Sequence, residues 1–226
     1  MLWSNMPIVR TVPFSTRWLA AAVLALMAGG CGGDARVEPD PTPLAPVAAA
    51  PVDTGLGQIV GTAPAVTRGV VSIVLLDPVA DIDVPLPEEV AVMDQYGRMF
   101  NPGFLLVRAG QTVRFTNSED DLHTVHAKDS AGESLFNVAT LWGSRYEYTF
   151  DLADDYKVVC NTHTEMEADI MVVSSPYAVV ADTDGAFALP DVVPGIYTAT
   201  LVRGTERHEL QLEIVAGRNE LDLTAL

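Results

Sequence analysis

The sequence predicts an all-β protein, and three observations carry that expectation. Short β-branched and aromatic runs recur along residues 58–226, bounded by turn residues. No stretch of that region carries a persistent helical apolar stripe. Fifteen Pro and seventeen Gly punctuate the 226 residues with turns. Many short strands with frequent turn signals imply a sandwich or a barrel.

Taken in order, the first thirty residues read as an export address. Arg10 and Arg17 form a basic start, and Trp18 to Met27 (WLAAAVLALM) is an apolar run too short to span a bilayer comfortably. Ala28-Gly29-Gly30 then precede Cys31. This arrangement resembles a bacterial lipoprotein signal. The resemblance implies that Cys31 is the lipidated first residue of an exported chain, held to a membrane by its lipid anchor only, in the periplasm or at the cell surface. Residues 31–57 read as a Pro/Ala-rich linker with no periodic apolar face, an extended spacer.

The strands follow. Gln58 to Gly61 and Val70 to Leu76 (VVSIVLL) are β-branched runs. Phe104 to Arg108 and Gln111 to Asn117 flank an Ala109-Gly110 turn, with Val113, Phe115 and Asn117 on one face of the second run. Tyr146 to Phe150, Tyr156 to Cys160 and Ile170 to Val173 come next. Tyr177 to Ala181, Ala186 to Leu189, Tyr197 to Val202 and Glu209 to Val215 close the chain.

Charge limits the partners. Thirteen Lys+Arg against thirty Asp+Glu give a net charge of -17, which argues against nucleic acid and anionic lipid surfaces and leaves room for a basic protein partner. Two Cys and four His exclude a disulfide scaffold and any site that needs many imidazoles.

Two clusters carry the chemistry: Asn117-Ser-Glu-Asp-Asp-Leu-His123-Thr-Val-His126, and Cys160-Asn-Thr-His163-Thr-Glu-Met166. A Cys and a His three residues apart at a strand end can converge on one ion, and a Met three residues further on can reach the same point. With a His from a distant strand, the donors are two imidazoles, a thiolate and a thioether. That is the set of a trigonal copper site with an axial Met.

The pattern C-x2-H-x2-M, preceded by N-x5-H-x-V-H and by FNPGFLLVRAGQTVRFTN, resembles the small blue copper proteins, the cupredoxins, of the amicyanin and plastocyanin-like type associated with methylamine utilisation. The resemblance covers about residues 84–174 and implies a Greek-key β-sandwich with one mononuclear type 1 copper. By the same resemblance His123, Cys160, His163 and Met166 are the metal ligands, and Asn117 is the residue that steadies the ligand loops. The chain departs from the family at Thr162, where Pro is common, and at Thr164 and Glu165, where Pro and a bulky apolar residue are usual. Glu165 therefore stays open as an alternative oxygen ligand to Met166.

Other polar residues have plainer readings. His126 falls out of phase with His123 and reads as structural or exposed. His208 reads as solvated, Met171 as packing, and Glu119, Asp120 and Asp121 as a solvated turn that could also steer a basic partner.

The last segment adds a second resemblance. DTDGAF at 182–187 and LPDVVPGIY at 189–197 are similar to the carboxypeptidase-regulatory-like, transthyretin-like β-sandwich, and residues 58–78 are similar to its opening strands. This implies a discontinuous sandwich of 58–83 with 175–226, interrupted by the copper domain at 84–174. Asp182-Thr-Asp-Gly185 falls short of a calcium site and reads as a turn.

The expected function is a membrane-tethered, exported carrier of single electrons between redox proteins, with a basic cytochrome c as a candidate partner. A copper-delivery lipoprotein and a structural module without a redox role are the alternatives. An enzyme is disfavoured, because only His126 and His208 remain for any further copper site.

Overall fold

The computed structural model describes residues 55–226. The export address, Cys31 and the linker up to residue 54 lie outside the described residues. The all-β expectation holds, with sixteen strands and no helix among the described residues. The chain opens with β1 (Gly57–Thr62) and β2 (Ile73–Pro78). It continues with β3 (Ala91–Gln95), β4 (Phe100–Asn101), β5 (Phe104–Arg108), β6 (Gln111–Asn117), β7 (His123–Lys128) and β8 (Ser134–Thr140). Then come β9 (Arg145–Phe150), β10 (Asp154–Val159), β11 (Glu167–Val173) and β12 (Tyr177–Val180). The last four are β13 (Ala186–Val192), β14 (Gly195–Arg203), β15 (Glu206–Ile214) and β16 (Gly217–Asp222).

The strands form four sheets. A five-stranded sheet in the order β5-β11-β10-β7-β8 faces a four-stranded one in the order β4-β3-β6-β9. Between them lies a core built on Met93, Val113, Phe115, Val125, Phe150 and Ile170, which also takes in Cys160 and Met166. We refer to this body as the site sandwich. The remaining strands make the sheets β12-β2-β14-β15 and β13-β1-β16 around a second core with Ile59, Leu76, Phe187 and Tyr197. This is the flanking sandwich.

A third apolar layer joins the two bodies. Ile73 and Leu75 of β2 and Val202 of β14 meet Phe104 and Leu106 of β5 and Met171 and Val173 of β11. The unbroken apolar run of β2 has this cause: Val74 and Leu76 face the flanking core, while Ile73 and Leu75 face the site sandwich. A strand covered on both faces loses the usual apolar/polar alternation. Met171 packs here.

The structure adds strands that the sequence reading leaves out: β3, β4, β7, β8 and β16. The expected linker also ends early, since its last residue, Gly57, already pairs in β1 with Val192 and Gly217. The Asp182 segment is a turn: the Asp182 carboxylate accepts from the amides of Asp184 and Ala186, and Gly185 donates back to the Asp182 carbonyl.

Candidate metal centre

The site forms where β7 begins and β10 ends. His123, the first residue of β7, takes the inward position of an alternating strand and is fully buried. Its neighbour in register is Thr140 of β8. Cys160 follows β10 directly and is 2% exposed. The segment from Cys160 to Met166 then turns back into β11 as a closed loop. The Cys160 amide donates to the Met166 carbonyl at 3.1 Å, and the Met166 amide donates to the His163 carbonyl at 3.0 Å. The loop therefore has its own hydrogen bonds to hold its ends together.

Three donor atoms converge. Cys160 Sγ lies 3.9 Å from His123 Nδ1 and 3.9 Å from His163 Nδ1, and the two Nδ1 atoms are 3.0 Å apart. His163 is only partly buried, while Met166 is 1% exposed and packs in the same core as Cys160. Glu165 is exposed. Burial thus separates the two candidates for a fourth donor, with the thioether inside and the carboxylate in water.

The sulfur is prepared as an anion. Burial alone would push the Cys160 thiol up. Amides of Thr124 and His163 donate to Sγ, each at 3.4 Å, and the Thr124 hydroxyl donates at 3.7 Å. The result is a thiol lowered to about 6, so the thiolate prevails at neutral pH. Thr124 also accepts from the Asn161 amide at 2.6 Å, which ties the start of the loop to β7.

Asn117 is 1% exposed and all its side-chain bonds go to backbone. Its Nδ2 donates to the carbonyls of Asp121 at 2.8 Å and Thr140 at 2.9 Å, and its Oδ1 accepts from the Glu119 amide at 2.9 Å. It thereby fixes the loop leading into His123 and the end of β8 opposite it.

The remaining polar residues fall as follows. His126 sits on the other face of β7, with its ring nitrogens 3.2 Å from Asn161 Oδ1 and 3.0 Å from Ser134 Oγ. His208 is exposed on β15. Cys31 lies outside the described residues. The solvated-turn reading of Glu119 needs correction: its Oε2 lies 3.2 Å from His123 Nε2. Asp120 is exposed, and Asp121 pairs with Arg98 at 3.2 Å.

Three supporting residues escape the sequence reading: Glu119, Thr124 and Gln95. Gln95 is fully buried. It donates to the Thr124 carbonyl at 3.1 Å and accepts from the Thr140 hydroxyl. The available signal was its phase, since it follows Met93 on the inward face of β3. Thr124 gives no signal of its own in sequence.

The donor set fits copper. Two imidazoles and a thiolate would also suit zinc, but Met166, buried in the same core as Cys160, offers a thioether that favours the softer metal. Residues 88–173, a little over a third of the chain, match the model of the copper binding proteins, plastocyanin/azurin family. No curated protein matches the chain. Among solved structures, a purple cupredoxin from Nitrosopumilus maritimus is 24% identical, covering 37% of this chain and 99% of that one with a TM-score of 0.34. Amicyanin from Paracoccus versutus is 20% identical over 43% of this chain and 97% of its own, with a TM-score of 0.35. A reduced single-residue variant of amicyanin is 24% identical, covering 39% and 86%, with a TM-score of 0.36.

Proposed function

We propose that residues 84–174 form a type 1 copper domain that carries single electrons between redox proteins, with His123, Cys160, His163 and Met166 as ligands. The observation that carries this reading is the convergence of Sγ and two Nδ1 atoms within 3.9 Å, with Met166 buried in the same core as Cys160. Copper would supply the one-electron chemistry. The chain supplies the rest. Sγ is held as a thiolate by amide donors, Asn117 fixes the approach to His123, and the loop is closed by backbone bonds. Such a frame changes little when the charge at its centre changes, which suits electron exchange. Delivery to another protein would call for exposed donors, whereas His123 and Cys160 are buried.

Around this domain we read residues 58–83 with 175–226 as a discontinuous carboxypeptidase-regulatory-like sandwich, and residues 31–57 as the spacer from a lipid on Cys31. The chain would then work at a bacterial membrane surface, in the periplasm or outside the cell. The charge of -17 favours redox partners with a basic face, such as a basic cytochrome c.

The test is visible absorption and EPR of the detergent-solubilised chain loaded with Cu(II). An intense thiolate-to-copper band, lost in Cys160→Ala, with a small copper hyperfine splitting supports the reading with Met166 as the fourth ligand. A band moved to shorter wavelength with a larger splitting would replace Met166 by Glu165 or water. Copper binding with no such band would overturn the electron-carrier reading.

A further inference from the structure

His123 has two ring nitrogens with different surroundings. Nδ1 faces Cys160 Sγ and His163 Nδ1, at 3.9 and 3.0 Å. Nε2 faces Glu119 Oε2 at 3.2 Å. The ring is fully buried and the Glu119 side chain is 24% exposed. A carboxylate at neutral pH only accepts hydrogen bonds, so Nε2 must carry the proton and Nδ1 must present its lone pair to the site.

Glu119 is itself fixed. The same Oε2 accepts from the Arg98 amide at 2.9 Å, and the Glu119 amide donates to Asn117 Oδ1. Arg98 reaches that position with φ at 54°, in the left-handed region. Its guanidinium meets Asp121 at 3.2 Å. The carboxylate is therefore aimed at the imidazole by a turn on a separate strand pair.

We propose that Glu119 is a positioning residue for the metal centre, setting the tautomer of His123 and, through its charge, lowering the reduction potential. This rests on the reading of His123 as a copper ligand. A carboxylate behind a ligating imidazole makes the ring a stronger donor and favours the more highly charged metal state. Partial exposure of Glu119 screens the effect without removing it.

The experiment uses the full-length chain in detergent, with three variants and two readouts. In the metal-free protein, nitrogen NMR reads the His123 tautomer: a single Nε2–H form with a downfield proton is expected, and that proton is lost in Glu119→Ala. In the copper protein, Glu119→Gln keeps an acceptor but removes the charge. It should shift the Cu(I)-to-Cu(II) ratio at fixed electrode poise about tenfold toward Cu(I). Asp120→Asn makes the same charge change at an exposed neighbour and should leave the ratio near wild type. An Nδ1–H tautomer in wild type overturns the proposal. So does a Glu119→Gln ratio equal to wild type, or one matched by Asp120→Asn. A wild-type protein with no thiolate-to-copper band defeats the copper reading instead. The metal-free tautomer then still decides whether Glu119 orients His123.

Discussion

Asn117 illustrates how much one buried amide can hold. Replacing it by Ala takes a partner from the buried Thr140 carbonyl and from the partly buried Asp121 carbonyl and Glu119 amide, at about 1–3 kcal/mol for each group that water cannot reach. We expect Asn117→Ala to lower stability by about 2–4 kcal/mol in denaturant titrations and to broaden the copper EPR signal, because the segment leading into His123 loses its anchor. Tyr197 gives a second test, on the flanking sandwich. Burial, with Tyr177 close by, pushes its phenol up to about 12, and the hydroxyl donates to the Val193 carbonyl at 2.6 Å. The folded state holds this proton where the unfolded chain releases it, near pH 10. Its contribution is therefore complete below pH 10 and lost as pH rises toward 12, with a slope of about 1.4 kcal/mol per pH unit. Unfolding followed across that window should fall less steeply in Tyr197→Phe than in wild type. The nearness of Cys160 and His163 was legible in sequence because one short loop carries both. Glu119 was not, because its aim depends on the backbone of Arg98, twenty-one residues away.

At the scale of elements, legibility followed covered surface. Strands such as β2 and β6 announce themselves by apolar runs or clean alternation. β16 (GRNELD) carries little apolar content, and its strand character comes from parallel pairing with β1. β7 alternates faithfully, but two of its six positions are His and one is Lys, so pattern alone reads it as a polar segment. Turns impose sharper limits than strands. Gly185 has φ at 91°, and a methyl group there would run into the Ala63 carbonyl oxygen, a backbone atom that cannot swing aside as a flexible side chain would. Gly185→Ala should therefore cost at least about 2 kcal/mol, combining left-handed strain with the clash. Thermal unfolding checks this; an unchanged midpoint would show that the Asp182 turn tolerates a different backbone path.

For the whole molecule, the decisive feature is the apolar layer between the two sandwiches. It makes the site sandwich and the flanking sandwich share buried surface, so in wild type loss of the copper band and loss of far-UV circular dichroism should coincide on heating. Leu106→Asp places a carboxylate in that layer and should separate the two transitions by several degrees, since an unpaired charge there is costly. Coincident transitions in the variant would mean that the bodies are held together elsewhere. In the sequence the two strand sets are an expectation from resemblance, and nothing there signals this layer. Its residues, such as Phe104 and Met171, look like ordinary strand residues until both sheets are present.

The pairing of β1 with β13 and β16 has a consequence for the order in which the protein is made. Thr62 meets Asp222 across 160 residues of chain. During synthesis β1 and β2 emerge first, yet their partners β12 to β16 emerge last. Every strand of the site sandwich, β3 to β11, lies between them. The loop from Cys160 to Met166 is thus made while the opening strands still present unpaired edges. The sheets that hold β1 and β2 are completed only when β12 to β16 arrive.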